Sequence, residues 1–128
     1  MPTDRDRGRM ASDDLKPHRI LPEDPLGFIQ RCVRQRKIRW TYHVNMRLRG
    51  RHVPREAILA SAGAYEIIES YPEDKYLPSY LVYSKYQGKV FHALFATDVK
   101  DDNVRIVTAY EPNPRKWEED LRTRRTTS

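Results

Sequence analysis

The chain has 128 residues and a formal net charge of +6, with charged residues making up 33% and apolar residues 38% of the sequence. This length suits one domain with a single core and excludes two ordinary domains. Cys32 is the only cysteine, which excludes an internal disulfide framework and a cysteine cluster for structural zinc.

Residues 1–23 predict a flexible charged tail, because five basic and five acidic residues alternate there without a hydrophobic period. No run in the sequence approaches transmembrane length, and nothing resembles a signal peptide. We therefore expect a cytoplasmic protein that does not contact a membrane. A single domain is predicted over residues 24–125, followed by a short tail at residues 126–128.

Three helices are predicted in the first half of the domain. The first begins at Asp24-Pro25, an N-cap followed by proline at the first helical position, and extends to about Lys37. Its apolar stripe includes Cys32, which indicates a buried thiol rather than a nucleophile. The second helix is expected over residues 41–48 and the third over residues 54–61.

After the third helix the hydrophobic period falls from about 3.6 to about 2 residues, which is typical of strands. Four strands are predicted, and their bounds are Tyr65–Tyr71, Ser79–Tyr86, Lys89–Thr97 and Val104–Tyr110. Short connections favour antiparallel neighbours. A last helix is predicted from Asn113-Pro114, with Trp117 and Leu121 one turn apart. The expected fold class is α+β, with N-terminal helices packed on a four-stranded antiparallel sheet and a short C-terminal helix.

Positive charge is concentrated in residues 31–55, which contain nine Arg and Lys residues and no acidic residue. A concentrated positive field attracts polyanions such as RNA. A basic helix face exposed to solvent would have the same composition, so the charge by itself leaves both interpretations open.

Two histidines are candidates for chemistry. His43 and Arg47 are four residues apart, and on a helix this spacing places them on one face. Imidazole exchanges a proton near neutral pH and guanidinium pairs with phosphate oxygens, so the pair suits phosphoryl chemistry. A surface histidine beside a solvated arginine is the alternative. His92 shares strand parity with Leu94, and is either a buried, hydrogen-bonded histidine or a functional group in a cleft.

Thr108 and Tyr110 end the last predicted strand on the parity of Val104 and Ile106. Their hydroxyls can bind a phosphate at the rim of the sheet, although packing alone also explains such residues at a strand end. The sequence has no glycine-rich phosphate loop, paired-cysteine motif or His-Glu metal helix, and its four histidines lack metal-ligand spacing. We therefore expect no metal site and no cofactor.

Four sequence blocks occur together in this chain: RWTYHVNMR at 39–47, PSYLVY at 78–83, VFHALFA at 90–96 and VRIVTAYEP at 104–112. Together they resemble an uncharacterised bacterial domain family that is grouped with the RelE-like toxins of the barnase–EndoU–colicin–RelE fold. The resemblance covers about residues 26–125. It implies helices on an antiparallel sheet and metal-independent RNA cleavage, in which the ribose 2′-OH attacks the adjacent phosphate and leaves a cyclic phosphate.

The resemblance also implies residue roles and partners. His43 and His92 become the candidate base and acid, and Arg47 with Arg51 become the cations that bind phosphate. The candidate catalytic residues are His43, Arg47, His92 and Tyr110, and the candidate RNA-binding residues are Tyr83, Thr108, Arg49 and Arg51. Two hypotheses follow: a toxin-like endoribonuclease of the mRNA interferase type with an antitoxin protein encoded nearby, or a non-catalytic module that binds RNA or a protein partner. The sequence leaves the oligomeric state open.

Overall fold

The computed structural model describes residues 20–40 and 53–126. Helix α1 (Pro25–Arg34) precedes strand β1 (Ile38–Trp40), and helix α2 (Arg55–Ala60) is followed by a 3₁₀ turn (Ala62–Ala64). The remaining strands are β2 (Glu66–Tyr71), β3 (Ser79–Tyr86), β4 (Lys89–Asp98) and β5 (Asn103–Tyr110). The α+β class is confirmed, and the four predicted strands are present within one residue of their predicted bounds.

The strands form one mixed sheet in the order β1-β5-β4-β3-β2. Strands β2 to β5 pair antiparallel with their neighbours. The expectation of a four-stranded, wholly antiparallel sheet is wrong, because β1 pairs in parallel with β5 along Val104–Ile106. Three residues directly after a helix are too few to show a strand period, and only the distant partner β5 makes them a strand.

Helix α1 begins as predicted and ends earlier than predicted. Asp24 Oδ1 accepts the Gly27 N–H at 3.1 Å, and Pro25 occupies the first turn. The helix stops at Arg34, and Arg36 has a left-handed φ of 63° that turns the chain into β1. Helix α2 agrees with the third predicted helix. The predicted helix at 41–48 lies outside the described residues.

The core lies between the two helices and one face of the sheet. Ile29 and Val33 of α1 and Ile58 of α2 have no exposed surface and pack with strand residues such as Phe95. Cys32 is also buried in this cluster, and burial raises the pKa of its thiol. The expectation of a buried thiol is therefore confirmed.

The predicted C-terminal helix is wrong. Residues 113–126 form turns and one isolated bridge between Trp117 and Arg124. Leu121, which the helical prediction paired with Trp117, has a left-handed φ of 57° that no α-helix accommodates. We call residues 113–126 the C-terminal segment. Its conformation follows from contacts with the sheet, described below, which outweigh the local helical spacing.

Candidate functional site

The sheet face away from α1 and α2, here called the second face, contains the candidate residues of the last strand. Between β4 and β5 the register shifts, so that Phe95 pairs with Ile106 and Leu94 pairs with Thr108. Val107 is therefore an extra residue, a β-bulge. Ile106 and Ala109 remain in the core. The bulge shifts the alternation after Ile106. Thr108 and Tyr110 therefore lie on the second face, although they share sequence parity with Val104 and Ile106, which lie in the core.

Thr108 and Tyr110 line an open hollow of about 330 Å³ on the second face. We call it the hydroxyl hollow, and its lining residues are Tyr71, Asp74, Leu81, Leu94, Thr108, Tyr110 and Arg124. It combines the hydroxyls of Thr108, Tyr110 and Tyr71, the last of which donates to Glu69, with the Arg124 guanidinium and the Asp74 carboxylate over a leucine floor. Burial raises the pKa of the Tyr110 phenol, which therefore stays protonated near neutral pH and can donate a hydrogen bond. Hydroxyl and guanidinium donors of this kind bind phosphate oxygens.

His92 contacts Tyr110, which lines the hollow, and has no exposed surface. Its Nε2 is 2.7 Å from the carbonyl oxygen of Leu121, which only accepts, so Nε2 carries the proton and donates it there. Nδ1 then accepts the Tyr110 hydroxyl at 3.3 Å. Burial is the main cause of a lowered His92 pKa, which favours the neutral imidazole. In this arrangement His92 is a buried, hydrogen-bonded histidine that holds Tyr110.

The C-terminal segment covers His92. The Trp117 ring is buried and meets the His92 ring edge-on at a centroid distance of 4.5 Å. Two arginines fasten the segment to β2, because Arg124 binds both carboxylate oxygens of Glu69 at 2.9 and 3.0 Å, and Arg122 binds Glu66 in the same way at 2.8 and 3.0 Å. These arginines lower the pKa of both glutamates. The segment therefore closes one end of the second face.

Tyr83, a predicted RNA-binding residue, lies under the same segment. Its exposed fraction is 7%, and the guanidinium of Arg122 stacks over its ring at 4.0 Å. Its ring is therefore covered and does not offer a stacking surface to a base. His43, Arg47, Arg49 and Arg51 lie outside the described residues, so the predicted meeting of His43 with His92 stays a prediction.

Sequence reasoning missed three contributors to this site. Arg122 and Arg124 follow the predicted C-terminal helix, and Tyr71 ends a predicted strand, and neither position indicates a site. No local pattern links Arg124 to Glu69, which is 55 residues away in the chain. The nearest signal is the repetition of arginines at 122, 124 and 125 beside the apolar Trp117 and Leu121, which is unusual for a solvent-exposed end.

Two negative observations apply to residues 20–40 and 53–126. No cluster of three or more His, Cys, Asp or Glu side chains there has the arrangement needed to hold a metal ion. No helix in this part of the chain is long and apolar enough to cross a membrane.

The fold and site define a small α+β domain with a mixed five-stranded sheet and an open, hydroxyl-lined hollow. Residues 40–111 match DUF4258, a domain of unknown function, and the chain belongs to that family. The match runs from the end of β1 to the residue after β5, so it includes Thr108, Tyr110 and His92. No curated protein and no solved structure matches the chain significantly.

Proposed function

We propose that this protein is a toxin-like, metal-independent endoribonuclease of the RelE-like group that acts on RNA in the cytoplasm. The observation that supports the proposal best is the convergence of Thr108, Tyr110 and Arg124 on one open hollow of the sheet. RNA carries its own nucleophile, the ribose 2′-OH. A site for this reaction needs a base, a donor for the leaving oxygen, and cations for the phosphorane, and it needs no metal.

The proposed reaction is an in-line displacement at phosphorus. The 2′-oxygen forms a bond to phosphorus, its proton passes to a base, and the bond from phosphorus to the 5′-oxygen breaks as that oxygen takes up a proton from a water molecule. We assign the base to His43 and phosphate binding to Arg47 and Arg51. The resulting products are a 2′,3′-cyclic phosphate and a free 5′-hydroxyl.

We assign Tyr110 to bind the scissile phosphate, because it is half-buried and lines the open hollow. In the structure its single proton is donated to His92 Nδ1, so binding of a phosphate oxygen requires this proton to turn into the hollow. His92 acts in this proposal through Tyr110, as a positioning residue. For His92 to serve as the acid in direct contact with RNA, the C-terminal segment has to leave the second face.

A second candidate function is a non-catalytic module that binds RNA or a protein partner. The complete burial of His92, with both ring nitrogens hydrogen-bonded, favours this alternative, because such a histidine exchanges no proton with a substrate. In both cases the proposed partners are RNA and an antitoxin protein encoded nearby.

The direct test is incubation of the purified chain with single-stranded RNA in EDTA. We expect cleavage with cyclic phosphate ends, a loss of at least about 100-fold in rate for His43→Ala, and a clear loss for Arg47→Ala and Tyr110→Phe. Tyr86→Phe is the matched control, because it removes a hydroxyl that binds Glu56 away from the hollow. If the purified chain does not cleave RNA, or if none of the three substitutions changes the cleavage rate, the proposed nuclease function is wrong.

Toxicity provides a separate test of the biological setting. Induced expression of the active chain should arrest growth, and the Arg47→Ala variant should not. Co-expression of the neighbouring antitoxin gene should restore growth. A binding module without catalysis predicts normal growth in every case.

A further inference from the structure

Beside the hydroxyl hollow, the second face contains a larger apolar groove of about 550 Å³. We call it the Tyr76 groove, and its lining residues are Asp74, Lys75, Tyr76, Leu77, Ser79, Ala96, Arg105 and Val107. Its size is within the range of small-ligand sites. None of the residue roles assigned above uses this groove.

The groove combines a flat apolar floor with an exposed aromatic wall. Ala96 and Leu77 are buried beneath it, and Val107 is 40% exposed because the β-bulge places it on this face. Tyr76 is 75% exposed, the largest value among the large apolar side chains that the structure describes. An aromatic ring left this open beside an apolar floor has the form of a stacking platform for a planar group.

The charges of the groove are close to balance. Arg105 pairs with Asp98 at 3.1 Å, and the Lys75 ammonium lies over the Tyr76 ring at 5.2 Å. Asp74 adds a negative charge, and its Oδ1 accepts the backbone N–H of Lys75 at 2.9 Å. A neutral planar ligand suits this charge balance and the apolar floor better than a phosphate does.

The groove is continuous with the hydroxyl hollow. Asp74 lines both, Ala96 follows Leu94 two residues along β4, and Val107 adjoins Thr108 on β5. Two residues along a strand span roughly 7 Å, which is about the reach of one nucleotide. A strand of RNA with its phosphate in the hollow therefore brings a neighbouring base to the groove.

We propose that the Tyr76 groove is a subsite for one unpaired RNA base, and that it prefers a base with an exocyclic amino group. Tyr76 stacks on the base, and Asp74 Oδ2 accepts a hydrogen bond from the amine, as carboxylates do from cytosine N4. Uracil has no exocyclic amine and places a carbonyl oxygen against the carboxylate instead. The inference rests on the proposed action on RNA and adds its base preference.

The test measures binding of fluorescent 2′-O-methyl oligonucleotides by anisotropy, because the methyl group blocks the attacking hydroxyl and prevents cleavage. We expect oligo(C) to bind about tenfold more tightly than oligo(U). Tyr76→Ala should weaken oligo(C) binding by about tenfold, and Tyr76→Phe should not. Asp74→Asn should reduce the preference for C over U, because an amide both donates and accepts.

Leu21→Ala is the control, since Leu21 is an exposed apolar residue before α1 and away from the groove. Equal affinity for oligo(C) and oligo(U), or binding that Tyr76→Ala leaves unchanged, overturns the inference. Cleavage of ordinary RNA is measured in parallel. Cleavage without a base preference contradicts the base subsite and supports the nuclease function. A Tyr76-dependent base preference without cleavage contradicts the nuclease function and supports the base subsite.

Discussion

His92 illustrates how burial decides the chemistry of a residue. An exposed histidine titrates near pH 6.5 and is a good acid or base. Here the C-terminal segment removes the ring from solvent, and desolvation lowers its pKa. Glu69 raises the His92 pKa and Arg124 lowers it, but both effects are smaller than desolvation. The neutral ring then fixes the direction of the Tyr110 hydroxyl, which is the group that reaches the hollow.

The lowered pKa of His92 predicts a specific dependence of stability on pH. Between the unfolded pKa of about 6.5 and the lower folded pKa, the unfolded chain binds a proton that the folded chain does not. The free energy of unfolding should therefore fall as the pH drops from about 7.5 to about 5.5, with a slope of at most about 1.4 kcal/mol per pH unit. Urea denaturation at several pH values measures this slope.

His92→Gln removes the titrating group and should flatten the slope in that range. The other three histidines are present in both proteins and cancel in the comparison. Glu66 and Glu69 have lowered pKa values, so their contributions are lost only at more acidic pH. An unchanged slope in His92→Gln would show that His92 does not titrate between the folded and unfolded states.

At the level of elements, the bulge at Val107 sets which face the last residues of β5 occupy. Without a bulge, strict alternation would turn Thr108 and Tyr110 towards the helices and Ala109 towards the second face. With Val107 inserted against β4, the small Ala109 fills the core and the two hydroxyls face the hollow. The Arg124–Glu69 and Arg122–Glu66 contacts then hold the C-terminal segment at the other end of the same face.

Deletion of Val107 should therefore preserve the faces of the remaining residues. The pairs of Ile106 with Phe95 and Thr108 with Leu94 become consecutive, so regular alternation still places Ala109 in the core and Tyr110 on the second face. We expect the deletion, like Val107→Ala, to cost no more than about 3 kcal/mol and to leave the protein folded. Urea denaturation followed by circular dichroism measures both. A deletion variant that does not fold would contradict the assignment of Val107 as the extra residue.

At the level of the whole molecule, the charge is distributed unevenly. The basic stretch 31–55 includes β1 and the first residue of α2, and two of its members, Arg31 and Lys37, pair with Asp102. In the C-terminal segment Arg122, Arg124 and Arg125 pair with carboxylates. Paired arginines add little net attraction for RNA, since their partners cancel their charge. Long-range attraction of a polyanion therefore depends mainly on the basic stretch.

Binding of single-stranded RNA should accordingly weaken as salt increases. Neutralising Arg47, Arg49 or Arg51 to Gln should reduce the slope of log K against log salt by about 0.7 for each lost phosphate contact. Lys100→Gln is the control, because Lys100 is exposed in the loop between β4 and β5 and lies outside the basic stretch. The prediction fails if the control reduces the slope as much as the arginine substitutions do. Fluorescence anisotropy over a series of salt concentrations provides the measurement.

Local chemistry was enough to predict much of this fold. The cap at Asp24, the alternation in β2 to β5 and the Gln87-Gly88 turn, with left-handed φ angles of 52° and 82°, all depend on residues close together in the chain. The sequence also indicated that Thr108 and Tyr110 end the last strand and that His92 lies within the strand before it.

Only the tertiary structure decided which face those residues occupy and what covers them. The parallel pairing of β1, the bulge at Val107 and the docking of the C-terminal segment each depend on partners far away in the chain. Alternation assigns strand residues to faces only while the register is unbroken, and helical spacing predicts a helix only where no stronger contact competes. For these physical reasons the sequence by itself determined the strands, and tertiary contacts determined the site.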